Sequence, residues 1–184
     1  MPQSQQSELG TNIIVNKITS NPGSFVIDFG AGEGKWGKLL KTKVAHISGV
    51  EVWAAYISKY NLRRHYDEIY NVDLRSIDFS NEHGLILENK YDTAILGDVL
   101  EHMSKDDATK FLNDLKSKVS TIYLTIPITI CIQDGNVLGN PFETHCYQWS
   151  DKEIRYELGF NLLNVSVNDN GLVAVGCYEW MKNK

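Results

Sequence analysis

Five short apolar runs recur along the chain: Phe25 to Phe29, Ala45 to Val50, Glu68 to Val72, Thr93 to Leu96 and Thr121 to Ile126. Between them, Lys35 to Lys41, Trp53 to Asn61 and Lys105 to Lys116 carry apolar residues three and four apart, with Phe111, Leu112 and Leu115 in the last. A buried strand followed by an amphipathic crossover, repeated in order, builds a mostly parallel sheet covered by helices on both faces. The spacing predicts an α/β fold of the doubly wound, Rossmann-like kind.

Near the C-terminus the pattern changes. Leu162 to Val167 and Leu172 to Trp180 read as two strands joined by Asn168-Asp169-Asn170-Gly171. Asn-Gly favours the positive φ of a tight hairpin, so the last strand is expected to run antiparallel to its neighbour. In the N-terminal segment, residues 1–20, Asn12 to Thr19 gathers Ile13, Ile14 and Ile18 on one helical face.

With 184 residues, 42% of them hydrophobic, the chain suffices for one core, and residues 1–184 are read as a single domain. No apolar run reaches the roughly 18 residues of a membrane helix. Met1 to Thr11 lacks the basic-then-apolar pattern of a signal peptide, so the expectation is a soluble, cytoplasmic protein without a membrane partner. Cys131, Cys146 and Cys177 are odd in number and lack a Cys-x-x-Cys pair, which fits free thiols in a reducing compartment. The net charge of −5 argues against wrapping a long nucleic acid, because such binding rests on many lysine and arginine contacts to phosphates. It leaves open a small substrate or a single nucleotide end.

The first apolar run continues into Asp28-Phe29-Gly30-Ala31-Gly32-Glu33-Gly34, an acid at a strand end followed by three alternate glycines and a helix. Glycines let the chain turn sharply and bring a ligand close to backbone N–H groups. Glu51 follows the second strand and Asp73 the third. A carboxylate at the end of the second strand can accept from both hydroxyls of a ribose, each charge-assisted bond contributing roughly 1.5–3 kcal/mol. Gly32-x-Gly34-x-x-Gly37 also satisfies the dinucleotide fingerprint, which would imply NAD. Against that reading, the first of those glycines comes three residues after the strand, and the segment Asp98 to His102 has no counterpart in such folds.

The glycine run, Glu51, Asp73-Leu74 and Asp98-Val99-Leu100-Glu101-His102 together resemble the successive motifs of class I S-adenosylmethionine-dependent methyltransferases, over Phe25 to about Ile126. The resemblance implies that Asp28, Gly30, Gly32 and Gly34 form the loop facing the methionine part of S-adenosylmethionine. Glu51 would hold the ribose, and Asp73 with the Leu74 backbone would meet the adenine. Val52 would add apolar contact, and Asp98 and Val99 would lie beside the cofactor. The N-terminal helix would cover this site.

Residues 127–150 form a long stretch after the fifth strand, on the expected acceptor side, and hold Asn140, Glu143, His145, Tyr147 and Trp149. Asp98-x-x-Glu101-His102 with the distant His145 is similar to the pattern of metal-assisted O-methyltransferases, which include enzymes of small-RNA 3′ ends and of quinone precursors. The resemblance implies Asp98, Glu101, His102 and His145 as ligands of one Mg²⁺ or Mn²⁺, which would bind an acceptor's hydroxyls and lower the pKa of the one attacked. The sequence has Asp98 where the RNA enzymes carry glutamate. The same run also occurs in metal-free methyltransferases, and His145 is then the expected general base, with His102 beside it.

The expected activity is O-methylation of a small molecule or sugar unit. The lean to a hydroxyl rests on the absence, after the fourth strand, of the Asn-Pro-Pro-aromatic signature of amino-methylating nucleic-acid enzymes. Tyr147 and Trp149 are candidates to line an acceptor pocket. Arg63-Arg64-His65 and the lysines at 35, 38, 41 and 43 would support an alternative, 2′-O-methylation of an RNA end. A catalytically silent cofactor-binding or partner-binding domain is a third reading, because fold does not guarantee chemistry.

Overall fold

The structure is a computed structural model and describes residues 8–79, 91–131, 133, 139–167 and 171–182. The chain runs α1 (Glu8–Thr19), β1 (Phe25–Phe29), α2 (Lys35–Leu40), β2 (His46–Val50), α3 (Ala54–Lys59), α4 (Leu62–His65), β3 (Glu68–Tyr70), β4 (Thr93–Gly97), α5 (Lys105–Lys118), β5 (Thr121–Pro127), β6 (Asn161–Val167) and β7 (Ala174–Met181). The helix expected from Trp53 to Asn61 is α3, Ala54–Lys59, and a separate short helix, α4, follows it. Asn61, at φ 50, separates the two, and α4 starts at Leu62.

The strands form one seven-stranded sheet in the order β3-β2-β1-β4-β5-β7-β6. The first five are parallel, and β7 is antiparallel to both β5 and β6. The expected antiparallel C-terminal strand is present. Of the turn expected at Asn168 to Gly171, only Gly171, at φ 73, is among the described residues.

Strand alternation assigns the two faces. Ile27, Phe29, Leu96, Ile122 and Leu124 share a core with Phe111, Leu112 and Leu115 of α5. Val26, Ile47, Ile95 and Tyr123 point the other way, into a core with Ile14 and Ile18 of α1, Trp36 and Leu40 of α2, and Leu62 of α4. Helix α5 begins at Ser104, whose hydroxyl accepts from the Asp107 amide, and carries Asp106 and Asp107 in its first turn and Lys116 and Lys118 in its last. Its buried Phe111, Leu112 and Leu115 each contribute roughly 1.5–3 kcal/mol over an exposed position. No helix among the described residues is long and apolar enough to cross a membrane.

The functional consequence lies between β1 and β4. From β1 the chain winds outward through β2 and β3, and from β4 it winds the opposite way through β5. Connections therefore diverge at the carboxyl ends of β1 and β4 and leave a crevice there, where open α/β sheets take ligands.

Candidate cofactor and acceptor site

The glycine loop enters this crevice from β1. Gly30, Gly32 and Gly34 have φ of 77, 50 and 79, a left-handed backbone that side-chain-bearing residues adopt only at a cost. The amides of Gly30 and Ala31 both donate to the Val50 carbonyl, at 2.9 and 2.8 Å, which anchors the loop to β2. Val99 packs so closely on Gly30 that a Cβ there would overlap its Cγ2, so the turn after β4 is wedged against the loop after β1.

Asp28 is the penultimate residue of β1. It is fully buried, and its Oδ2 accepts a 2.5 Å hydrogen bond from the Tyr66 hydroxyl, which in turn accepts from the Gly37 amide at 3.2 Å. Burial pushes its pKa up to about 7, against the lowering effect of the Tyr66 hydrogen bond. Asp28 and Tyr66 thereby tie β1 to α2, while Asp28 Oδ1 has no hydrogen-bond partner among the described residues. Tyr66 escaped the sequence reading because nothing in its local spacing links it to Asp28.

Glu51 stands where the second strand ends and is 5% exposed. Its Oε2 accepts from the Gly32 amide and its Oε1 from the Trp53 amide, each at 2.8 Å, while the Asn71 amide holds the backbone carbonyls of Glu51 and Val52. Burial raises its pKa, opposed by those amides. Val52 and Trp53 are half-buried at its side, and the Trp53 ring stands edge-on to Tyr56 at 4.5 Å. Asp73 opens a short 3₁₀ turn over Leu74–Ser76, and its carboxylate is forked by the Arg75 guanidinium, which lowers its pKa. An adenine amino group would share that carboxylate with Arg75. Leu74 is half-buried against the core.

Beyond β4 come the other acids, Asp98 ahead of the 3₁₀ turn Leu100–His102 and Glu101 within it. Asp98 takes a left-handed φ of 54, its amide bonds the Thr125 carbonyl at 2.8 Å, and its charge acts on Lys35, whose pKa burial lowers to about 8. Glu101 is 2% exposed, and neither of its carboxylate oxygens finds a hydrogen-bond partner among the described residues. Burial, and then the nearby Asp98, raise its pKa well above the usual carboxylate range. Its backbone carbonyl accepts from the amides of Cys146 and Tyr147, at 2.7 and 3.2 Å, and that pairing brings the distant loop to this turn.

One ligand atom each from Glu101, His102 and His145 lies within 4.8 Å of the others. Nδ1 of His102 is 3.1 Å from the Thr144 carbonyl and Nδ1 of His145 is 2.6 Å from the Cys131 carbonyl. A carbonyl only accepts, so both Nδ1 atoms carry a proton, which makes Nε2 the atom of each ring that can offer a lone pair to a ligand. Burial, and then the neighbouring His145, lower the pKa of His102 and keep it neutral. Asp98, also expected as a ligand, does not join this cluster. It leaves β4 first, and the 3₁₀ turn directs Glu101 and His102 elsewhere.

The expected acceptor-pocket aromatics are placed differently. Trp149 is fully buried in the core, and Tyr147 packs edge-on to it at 4.9 Å while donating to Glu153 at 2.5 Å. Of the basic residues, Lys41 bonds the Tyr66 carbonyl and pairs with Asp67, and Lys38 bonds the Glu33 carbonyl.

A model of the methyltransferase domain matches residues 26–120. A search of curated proteins gives no match. Among solved structures, magnesium protoporphyrin IX methyltransferase from Synechocystis PCC 6803 with bound S-adenosylmethionine is 18% identical, with a TM-score of 0.62 over 95% of this chain and 81% of that one. The N-terminal domain of EvdMO1 with bound S-adenosylhomocysteine is 14% identical, with a TM-score of 0.67 over 96% and 82%. The methyltransferase domain of bacterial-CtHen1-CN is 20% identical, with a TM-score of 0.59 over 95% and 98%. At these identities the likeness shows the fold, and the family match carries the assignment: the chain belongs to the methyltransferase-domain family and is a class I S-adenosylmethionine-dependent methyltransferase.

Proposed function

We propose that the protein methylates a hydroxyl of a small molecule or sugar unit, with one divalent ion held by Glu101, His102 and His145. The observation that carries this reading is the Glu101 carboxylate, buried with no hydrogen-bond partner among the described residues and clustered with two imidazoles oriented through Nδ1. An unpaired buried carboxylate is costly, and a cation is the compensation this donor set fits. The Nδ1-to-carbonyl bonds are the outer-shell pattern that orients ligating histidines. One carboxylate and two imidazoles suit Mn²⁺ better than Mg²⁺, which prefers oxygen.

When bound, S-adenosylmethionine supplies an electrophilic methyl carbon, and the ion supplies a Lewis acid that lowers the pKa of the acceptor hydroxyl. The chain itself has two tasks. Glu51 and the glycine loop fix the cofactor end, and the loop after β5 fixes the acceptor end, so that oxygen, carbon and sulfur can lie in line. Such a transfer would put the methyl group on the acceptor oxygen and leave S-adenosylhomocysteine, with the hydroxyl proton released to solvent. The three free cysteines agree with a reducing cytoplasm.

Calorimetric titration with Mn²⁺ tests the reading. One ion is expected to bind the wild type, and none is expected to bind Glu101→Ala or His145→Ala, both of which should still bind S-adenosylhomocysteine. A wild type that binds no divalent ion removes the metal and leaves His145 Nε2 as the proton acceptor.

A further inference from the structure

Tyr56 and Glu143 lie on opposite sides of the crevice. Tyr56 belongs to α3, which follows β2, whereas Glu143 lies in the loop that follows β5, and β1 and β4 stand between those two strands. The Tyr56 hydroxyl nevertheless donates to Glu143 Oε1 at 3.1 Å. The same oxygen accepts from Asn140 Nδ2 at 3.1 Å, and Gln133 Nε2 donates to the Glu143 backbone carbonyl at 2.8 Å and to Oε2 at 3.3 Å. The Gln133 carbonyl in turn accepts from the His145 amide at 3.1 Å. Tyr56 and Asn140 are 5% and 2% exposed, so water competes little for these bonds.

On the other side the path continues to the cofactor loop. The Tyr56 amide bonds the Trp53 carbonyl at 2.9 Å, the Trp53 amide bonds Glu51 Oε1, and Glu51 Oε2 accepts from the Gly32 amide. An unbroken series of hydrogen bonds and short backbone links thus runs from Gly32, through Glu51, Tyr56 and Glu143, to His145. The Glu143 charge also acts on both Glu51 and Glu101, which places it between the two halves of the site.

We propose that Tyr56 and Glu143 are positioning residues whose hydrogen bond ties the segment carrying His145 to the ribose side of the site, so that cofactor binding at Glu51 fixes His145 for the acceptor. This rests on the reading of His145 as an acceptor-side group. A ligand that orders Glu51 orders the start of α3, and one turn later the Tyr56 hydroxyl holds Glu143. Contacts of this kind couple two sites only if removing one of them changes the response of the other, and that response is measurable.

The test is hydrogen exchange of the full chain with and without S-adenosylhomocysteine. In the wild type, the ligand is expected to slow exchange about tenfold both at the glycine loop and at residues 140–147. In Tyr56→Phe, which keeps the ring contacts to Trp53 and Tyr60, the slowing at the glycine loop should remain and that at 140–147 should disappear. Glu143→Ala, which also removes the bonds to Asn140 and Gln133, should do the same, and adding Tyr56→Phe to it should change nothing further, because the Tyr56–Glu143 bond is already gone. Slowing at 140–147 that survives in Tyr56→Phe, or that is absent from the wild type, overturns the proposal. Failure of Mn²⁺ to bind would sink the metal reading and leave these exchange outcomes unchanged.

Discussion

Glu51 Oε2 accepts a 2.8 Å hydrogen bond from the Gly32 amide, so the acid after β2 and the loop after β1 form one unit. Each carboxylate oxygen accepts one protein amide and retains a second lone pair for a ribose hydroxyl. Glu51→Gln replaces one acceptor with a donor that faces an N–H group. We expect S-adenosylhomocysteine to bind roughly 10- to 100-fold more weakly, in line with about 1.5–3 kcal/mol for a bond to a charged group. Near wild-type affinity in a calorimetric titration would show that Glu51 does not hold the ribose.

Gly30→Ala meets two obstacles, a φ of 77 and the Val99 side chain. The left-handed backbone alone costs about 1–2 kcal/mol, and the overlap forces the two loops apart. A lower melting temperature together with weakened S-adenosylhomocysteine binding is expected. Gly171→Ala is the control: its φ is 73, but nothing described lies within 4 Å of an added Cβ, so it should lose some stability and keep its affinity.

Asp28 makes stability depend on pH. Its pKa rises from the usual 3.8 to about 7 on burial, so across that window the folded state binds more protons than the unfolded state. Stability contributed by this group therefore falls as pH rises through the window, by at most roughly 4 kcal/mol. Asp28→Asn should flatten the dependence, and denaturant titrations at pH 5 and pH 8 measure it. Equal slopes in wild type and variant would place the Asp28 pKa near its ordinary value.

Glu101→Gln should exchange function for stability. The buried, unpartnered carboxylate has a raised pKa, so without a divalent ion its cost to the fold grows as pH increases. The variant is expected to melt several degrees higher than the metal-free wild type at pH 8, with a smaller gain at pH 5, and to lose the Mn²⁺-induced shift of the wild type. A variant that melts lower at both pH values would mean that Glu101 has partners in solution that replace the ion.

The glycine loop and the acid after the second strand were readable because their signals are local. Glycines at alternate positions after an apolar run specify a turn, and an acid placed directly after a strand must lie at the carboxyl edge of the sheet. Glu51 is found there. Tyr66 shows the limit of this logic, because its hydrogen bond to Asp28 joins residues 38 positions apart and no local spacing announces it. Trp149 failed as a pocket residue for a related reason, since a loop in sequence can still deliver an aromatic ring to the core.

Periodicity, turn chemistry and the placement of acids at strand ends are properties of neighbouring residues, and the amino-acid sequence alone specified the alternating α/β pattern, the glycine loop and the C-terminal hairpin strands. The order of strands in the sheet, the absence of Asp98 from the cluster of Glu101, His102 and His145 and the bond from Tyr56 to Glu143 arise only when the chain is folded. These are contacts between elements that leave the sheet at different points. No spacing along the chain encodes them, because the burial of both sheet faces and the pairing of backbone groups select one arrangement of the whole.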